Sequence, residues 1–425
     1  FGFSGTPGSG AQERPREQTH VGVYGGTGDN TVGKSIEGAV DVLFPSIAWY
    51  DPNLFMKNIV QKVRAHGIKV YPSLAVAYDG YQEKHHEFAK LHPEYWEKRK
   101  DGRLIDSGTQ VGLSWGYPEV RAYKVRTIAR LVKTSGVDGV LLDYCRYFGK
   151  TAGYSDVIVS AFRTRFGKNP FELPQDDPQW IRFRANFVTQ FIADLRRALD
   201  EIDDDLEIIA CVNPDPQECL NRAMQDWATW LDRGLIDGVV TMIYERDTNN
   251  TLRKVMIANE AIRGRVPHMP MIAPYGGNLT TPAMLRDGSL KCLAAGTGAV
   301  GFYRSDSIFK HDLWDTVAEI ARWNLNDISK RPVNYVLNPN FENNLENWAV
   351  GDGHGIDITT EKAKTAKRSL RMRFPGRRTI RQLIDRGFLK GKSALQISVW
   401  LDSSNLSPDA AVSIEINTNT QNGQE

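Results

Sequence analysis

Cysteine is scarce in this 425-residue chain, which contains only four. Cys145, Cys211, Cys219 and Cys292 form no CxxC pair, and none has zinc-ligand spacing with a histidine. We therefore expect buried free thiols and no cysteine-based metal site. A disulfide between Cys211 and Cys219 stays open as an alternative.

The chain also lacks a large excess of one charge sign and has no long apolar run. The net charge is +2, from 53 basic and 51 acidic residues, and no basic helix is interleaved with aromatics. A nucleic-acid partner is therefore not expected. No apolar run approaches the ~20 residues of a membrane-spanning helix, so we expect no membrane span.

Two sequence motifs are also absent, one typical of dinucleotide binding and one typical of serine hydrolases. No GxGxxG follows the first predicted strand, and we expect no helix to open from the glycine-rich stretch 25–28, so a phosphate cradle is not predicted. No GxSxG elbow is present, which argues against Ser-His-Asp catalysis. The chain implies no cofactor.

The chain does contain short β-rich runs that alternate with longer amphipathic stretches. This alternation predicts an α/β fold, a (β/α)8 TIM barrel over residues 19–330. A doubly wound sheet is disfavoured because the dinucleotide glycines are absent. The eight predicted strands are 20–24, 40–48, 68–78 with a bend at Pro72, 137–143, 206–212, 238–244, 266–273 and 299–303.

The two ends of the chain differ from this central region. Residues 1–18 are rich in Gly, Ser and Pro, which predicts a flexible N-terminus. After residue 330 the helical period disappears and β-like runs lie between turn residues, so residues 331–425 are predicted to form a β-sandwich that is cut short. We expect an exported protein, secreted or periplasmic.

The fourth predicted strand is the most informative stretch. Val140, Leu141 and Leu142 are an apolar run without polar alternation, typical of a strand buried on both faces. Asp143 ends this run, where a TIM barrel carries its chemistry. A buried carboxylate is costly unless it is paired or has a function. The structural alternative is an Asp that caps the next helix or pairs with Arg146.

Carboxylates, aromatics and an amide follow the other predicted strands too, as glycosidic-bond cleavage requires. We predict Asp143 and Glu245 as the catalytic pair; the alternative for Glu245 is a salt bridge with an arginine. The alternative for the aromatic residues is core packing, and the alternative for Asp215 is a structural role in a rigid turn. The predicted substrate-binding residues are Tyr24, Trp49, Tyr78, Trp115, Arg146, Tyr147, Asn213, Asp215, Tyr244, Tyr275 and Tyr303.

Histidines cluster in one long predicted loop. His85, His86 and His92 lie there with several glutamates nearby. Their spacing matches no zinc motif, so a solvated loop is favoured over a metal site. A metal-dependent barrel hydrolase or lyase stays as an alternative function, and we predict no metal ligands.

Three segments resemble the glycoside-hydrolase-like family 10 proteins. DGVLLDYCRY, residues 138–147, is similar to the family's strand-four signature; residues 113–132 and 238–247 are similar to the preceding helix and to strand six. The resemblance implies a (β/α)8 barrel related to hydrolase domains of bacterial exopolysaccharide systems, with Asp143 as catalytic acid. The chain departs from the signature at Cys145 and at Phe148, where proline is usual.

The C-terminal region resembles a carbohydrate-binding module. Residues 337–348, LNPNFENNLENW, and 366–370, AKRSL, are similar to the opening of such jelly rolls. The sequence as a whole therefore predicts a glycoside hydrolase that cleaves a poly- or oligosaccharide. A non-catalytic carbohydrate-binding barrel is the main alternative, and the oligomeric state is left open.

Overall fold

The computed structural model describes residues 17–25, 29–46, 52–80, 86–107 and 110–328, and four short strands between residues 349 and 381. The chain forms two compact units, Phe1–Leu337 and Asn338–Glu425. The first unit contains the parallel sheet described below. The predicted domain assignments on either side of residue 330 stay predictions.

Eleven strands lie in the described part of the first unit. Their apolar, β-branched composition suits burial between helices and a core. They are β1 His20–Gly25, β2 Val42–Pro45, β3 Lys69–Val70, β4 Ser73–Ala75, β5 Tyr78–Asp79, β6 Val111–Gly112, β7 Gly139–Asp143, β8 Glu207–Val212, β9 Gly238–Ile243, β10 His268–Ile272 and β11 Ala299–Tyr303.

Nine of these strands form one parallel sheet in the order β3-β2-β1-β11-β10-β9-β8-β7-β4, whereas β5 and β6 form a separate antiparallel pair. The first and last strands of this order, β3 and β4, are consecutive in the chain and are separated only by Tyr71 and Pro72. The N–H of Tyr71 donates to Leu43 O (2.9 Å), and the N–H of Leu141 donates to Pro72 O (3.0 Å). The sheet therefore curves back on itself, as the sequence predicts for a TIM-barrel-like fold.

Helices connect the parallel strands and cover the sheet. No described helix is long and apolar enough to cross a membrane. The helices are α1 Asp29–Glu37, α2 Pro52–Arg64, α3 Glu87–Leu91, α4 Pro118–Ser135, α5 Asp156–Phe166, α6 Pro178–Asp200, α7 Pro216–Ala223, α8 Trp227–Asp232, α9 Thr248–Ile262, α10 Pro282–Ala294, α11 Ser305–Lys310, α12 Trp314–Ala321 and α13 Leu325–Ile328.

Local sequence signals fix several helix ends. Pro118 opens α4, and Gly136 ends it with a left-handed φ of 70°, the conformation that glycine adopts without strain. The Asp177 carboxylate caps α6 by accepting from the N–H of Trp180 (2.9 Å). Asp247 caps α9 through the N–H of Asn249 (2.8 Å), which agrees with the N-cap role that the sequence predicts for an aspartate shortly before the helical stretch 252–263.

The core has an inner and an outer layer. Side chains of alternate strand residues fill the space enclosed by the sheet, and the others pack against the helices. In β7, Leu141 belongs to the inner layer, while Val140 and Leu142 belong to the outer one. The inner cluster consists of Val42, Phe44, Tyr71, Leu141, Ile209, Cys211, Val240, Met269, Met271 and Ala299.

Three predictions about the first unit need correction or completion. Helix α1 begins at Asp29, so the expectation that no helix follows the glycine-rich stretch is wrong. The amphipathic stretch 216–231, for which the sequence predicts one helix, forms two helices, because Met224 adopts a left-handed φ of 51° and ends α7. The four cysteines are free and buried, so the free-thiol prediction is confirmed and the Cys211–Cys219 disulfide is not formed.

Only short strands are described in the second unit. Strand β12 Ala349–Val350 pairs antiparallel with β15 Ile380–Arg381, and β13 Ile356–Thr359 pairs antiparallel with β14 Ser369–Met372. Antiparallel pairing agrees with a β-rich domain. The predicted sandwich lies largely outside the described residues and stays a prediction.

Candidate active site

Inner-face side chains converge where the parallel strands end. Because strand residues alternate between faces, Asp143 shares the face of Leu141, two residues earlier in β7. Tyr24 at the end of β1 and Tyr303 at the end of β11 pack against the same inner cluster. Asp143 and these tyrosines therefore line the opening of the sheet at its carboxyl end, and we call this opening the mouth.

Asp143 is the acidic group at the centre of the mouth. Its Oδ1 accepts a hydrogen bond from the N–H of Tyr144 (2.8 Å), and the hydroxyl of Tyr24 and the thiol of Cys211 also hydrogen-bond to the carboxyl group. Burial raises the pKa of Asp143; the hydrogen bonds and the nearby Arg146 charge offset only part of this effect. A raised pKa favours the protonated form of the carboxyl group, which is the form that a general acid needs.

Three tyrosines form a continuous wall beside Asp143. The ring centroids of Tyr24 and Tyr303 are 4.9 Å apart, and those of Tyr303 and Tyr244 are 5.0 Å apart in a stacked arrangement. Burial raises the pKa of each phenol, and the Asp143 carboxylate raises it further. The phenols therefore stay protonated near neutral pH and can donate hydrogen bonds to a ligand.

A second aromatic group also lies near Asp143. The ring of Tyr78 contacts those of Tyr144 and Phe148, with centroids 5.3 and 4.7 Å apart. The Arg146 guanidinium carbon lies 4.8 Å from the centroid of the Tyr144 ring. Tyr144 itself is 38% exposed. This half of the mouth offers an apolar face together with a cation.

Two supporting residues of the mouth were missed as site residues by sequence reasoning. Ser73 Oγ donates to the hydroxyl of Tyr24 (3.1 Å) and so helps to position this phenol beside Asp143. Cys211 lies inside the sheet beside the same carboxyl group, and burial raises its thiol pKa, so the thiol stays a donor. Strand alternation could have identified Cys211, because it lies on the same face of β8 as Asn213, which was a predicted site residue.

Glu245 does not join Asp143. In β9, Val240 and Met242 point into the sheet and Ile243 points to the helices, so Tyr244 faces inward and Glu245 faces outward. Lys254 of α9 forms an ion pair with the Glu245 carboxylate. The predicted pairing of Glu245 with Asp143 is therefore corrected: Glu245 contacts the helix layer.

Three predicted substrate-binding residues have structural roles: two are buried in the core and one caps a helix. Trp115 is 1% exposed and Tyr147 is 2% exposed, so neither can stack on a sugar. Trp115 Nε1 instead donates to Arg146 O (3.3 Å), and Tyr147 lies beside the buried Glu97. Asp215 caps α7 by accepting from two backbone N–H groups, which is the structural alternative considered for it.

The remaining predicted residues lie near the mouth or outside the described residues. Tyr275 follows β10 and is 55% exposed. Asn213 is half-buried and continues the inner face of β8. Trp49 and His85 lie outside the described residues.

The two described loop histidines bind separate carboxylates. His86 Nδ1 lies 2.6 Å from Asp79 Oδ1, and His92 Nδ1 lies 2.9 Å from Glu94 Oε1. Asp79 is buried, whereas Glu94 is exposed. Each histidine therefore has its own acidic partner, and these two residues do not share a ligand set.

Comparison with known proteins identifies a family. The family described as Glycosyl hydrolase-like 10 matches residues 49–262, just over half of the chain. An S-layer-related protein of Niallia circulans is 25% identical over 188 residues, which are 37% of this chain and 12% of that protein. The match thus spans about an eighth of that relative's length.

Solved structures share the fold at low sequence identity. The glycoside hydrolase domain of PgaB (BpsB) from Bordetella bronchiseptica has a TM-score of 0.53 and 16% identity, over 72% of this chain and 99% of that one. A beta-galactosidase from Bacillus circulans sp. alkalophilus has a TM-score of 0.55 and 13% identity, over 72% and 55%. At such identities the similarity concerns the fold alone.

Proposed function

Because this chain belongs to the Glycosyl hydrolase-like 10 family, we propose that it is a glycoside hydrolase acting at the mouth of a (β/α)8 barrel. The observation that carries the proposal is the position of Asp143. Its carboxyl group lies at the end of a buried strand, with a raised pKa, close to two groups of aromatic side chains. This arrangement suits a general acid inside a sugar-binding cleft.

Asp143 is proposed to protonate the glycosidic oxygen of the leaving sugar. The proton comes from the carboxyl group itself, whose protonated form is favoured by burial. As the carboxylate forms, the hydroxyl of Tyr24, the thiol of Cys211 and the N–H of Tyr144 donate to it and stabilise the charge. These donors are already in place, so little reorganisation accompanies proton transfer.

The aromatic walls are proposed to hold the sugar rings. Tyr244 and Tyr144 are 36% and 38% exposed, so a ring of the substrate can contact them. Their flat apolar surfaces suit the C–H faces of pyranose rings, while phenol hydroxyls and Arg146 suit sugar hydroxyls. We propose a poly- or oligosaccharide substrate, encountered outside the cytoplasm; the S-layer-related relative agrees with that location.

The acid-base role is assigned to Asp143 alone. Among the described acidic residues that follow β9 and β11, Glu245 is paired with Lys254, Asp306 with Arg304, and Asp247 caps α9. Glycoside hydrolysis normally uses two carboxyl groups. Among these described acids only Asp143 faces inward, which favours one second candidate, a barrel that binds carbohydrate without cleaving it.

Substitution of Asp143 by asparagine tests the acid role. The wild-type chain is first incubated with a panel of glycans, and products are identified by mass spectrometry. On a glycan that is cleaved, Asp143→Asn is expected to lower kcat by about 10²–10⁴-fold. On the dinitrophenyl glycoside of the same sugar the loss is expected to be much smaller, because that leaving group needs no proton.

Asp247→Asn is the matched control, because asparagine caps a helix as well as aspartate does and full activity is expected. Unchanged kcat in Asp143→Asn would refute the acid role. If the wild-type chain cleaves no glycan but binds some of them, the non-catalytic carbohydrate-binding barrel is the correct function.

A further inference from the structure

A second cleft lies outside the mouth, between α3 with the turn that follows it and the first turns of α4. Its volume is about 450 Å³, within the range of small-molecule sites of roughly 300–1,000 Å³. One side is aromatic and the other belongs to α4. The lining includes Phe88, His92, Tyr95, Glu119, Ala122 and Arg126; we call it the α3–α4 cleft.

The aromatic side of the α3–α4 cleft is held rigidly by ring stacking. Phe88 stacks on Tyr123 of α4, with centroids 3.9 Å apart and planes 5° apart. Tyr95 stacks on His92 at 4.9 Å and 18° and faces Phe88 at 5.9 Å and 29°. Phe88, His92 and Tyr95 are all half-buried, so each retains an exposed part. The result is a preformed apolar platform.

The opposite side of the cleft carries one acid and one base. Glu119 and Arg126 are seven residues apart on α4, so they lie on the same face of the helix, and both are exposed. Within the described residues, neither side chain forms a hydrogen bond or an ion pair. Their charges cancel, and together they offer both acceptors and donors. A neutral ligand rich in hydroxyl groups fits this chemistry better than an ion does.

We propose that the α3–α4 cleft is a second carbohydrate-binding site, which takes pyranose rings of the polymer whose cleavage point lies at the mouth. The proposal rests on the proposed function for its ligand. Sugar rings would lie on Tyr95 and His92, and Glu119 and Arg126 would bind hydroxyls. A second copy of the chain is a poorer occupant, because a stable interface takes roughly 20–30 residues a side and this cleft is lined by seven.

The position of the cleft relative to the mouth supports one continuous ligand. Tyr78, which contacts Tyr144 in the mouth, is followed in β5 by Asp79. The Tyr123 hydroxyl donates to Asp79 Oδ1 (3.5 Å), and Phe88 of the cleft stacks on the Tyr123 ring. Tyr78, Asp79 and Tyr123 thus link the mouth to the cleft through a short series of contacts. Under this proposal, a chain of sugars that leaves the mouth past Tyr78 would reach the cleft.

Blocking the cleft tests the proposal. Ala122 is exposed at the cleft, and arginine is a good helix former, so Ala122→Arg fills the site without disturbing the core. Ala65→Arg, at an exposed position just after α2, is the matched control. Both are made in the Asp143→Asn background and run by affinity electrophoresis in gels containing galactan, xylan, β-glucan, mannan or glycol chitosan. A second cleft variant is the double substitution Glu119→Ala with Arg126→Ala.

At least one polysaccharide is expected to retard the Asp143→Asn protein, with about tenfold weaker binding in both cleft variants and unchanged binding in the control. With Asp143 restored, Ala122→Arg is expected to keep kcat on short oligosaccharides and to raise KM on the polymer only. Retardation that both cleft variants retain, or no retardation by any polysaccharide, overturns the cleft proposal. The cleft proposal is also overturned if sedimentation shows a concentration-dependent dimer that Ala122→Arg abolishes. Failure of the proposed function is seen separately, because the wild-type protein, which retains Asp143, would then cleave no glycan.

Discussion

Glu97 offers a sharp test of the energetics of the buried polar groups. It is 1% exposed, and its Oε1 accepts hydrogen bonds from the N–H groups of Lys98 (2.9 Å) and Gly153 (3.0 Å). These bonds join the segment before α4 to the segment before α5. Burial raises the pKa of Glu97 to about 7, against 4.5 for an exposed glutamate, although the hydrogen bonds and Arg184 lower it in part.

The sign of the effect on stability follows from this shift. A raised pKa means that folding favours the protonated form, so the contribution to stability is fully present below pH 4.5 and is lost as the pH rises through 7. Between pH 5 and 8 the wild-type chain should lose about 2–3 kcal/mol from this group alone, at about 1.36 kcal/mol per pKa unit. Glu97→Gln keeps an acceptor for both N–H groups and cannot ionise.

The assay is urea unfolding of wild type and Glu97→Gln at pH 5, 6, 7 and 8, followed by tryptophan fluorescence. Subtracting the two free energies of unfolding at each pH removes the contribution of the other titrating groups. The difference should grow in favour of the variant by about 2–3 kcal/mol across this range. Glu94→Gln is the control, because Glu94 is exposed and His92 lowers its pKa, the opposite direction. A difference that does not change with pH would refute the reasoning.

Three further predictions concern stability. His268 hydrogen-bonds to Thr241 and Asn259, and burial lowers its pKa to about 3. The free energy of unfolding should therefore fall by about 2 kcal/mol from pH 6.5 to 4.5. In urea unfolding, His268→Gln should remove this fall. Asp177→Ala should cost about 1 kcal/mol, whereas Asp177→Asn should cost almost nothing, as measured by unfolding at pH 7. Arg263 ends α9 with a left-handed φ of 54°, so Arg263→Gly should raise the unfolding free energy by about 0.5–1 kcal/mol.

Most of the strand pattern could be predicted from the sequence. A buried strand of a parallel sheet is a short apolar run between turn residues, and this signal is local. Even the interruption at Pro72 was predicted, because proline cannot donate to a sheet ladder. The short helices were harder. Helix α1 lacks a long apolar stripe, and the break at Met224 depends on a backbone conformation that methionine rarely adopts.

The candidate site was only partly predictable. The place of Asp143 follows from the end of an apolar run, which is visible in the sequence. The direction of Glu245 depends on which face of β9 points inward, and that is decided by the neighbouring strands rather than by β9 itself. Trp115 and Tyr147 were misassigned because an aromatic residue after a strand can line a cleft or fill a core. Burial by distant segments decides between these roles.

The alternation at the end of β9 has a consequence for how this site can change. Tyr244 and Glu245 are adjacent in the chain but belong to opposite sides of the sheet. Removing a single residue from β9 would exchange their sides, because a shift of one position reverses every later side chain in a strand. The phenol would leave the wall beside Tyr303, and a carboxylate would enter next to Asp143. Among the acidic residues that the structure describes, one deletion would thus bring a second carboxyl group to the mouth beside Asp143.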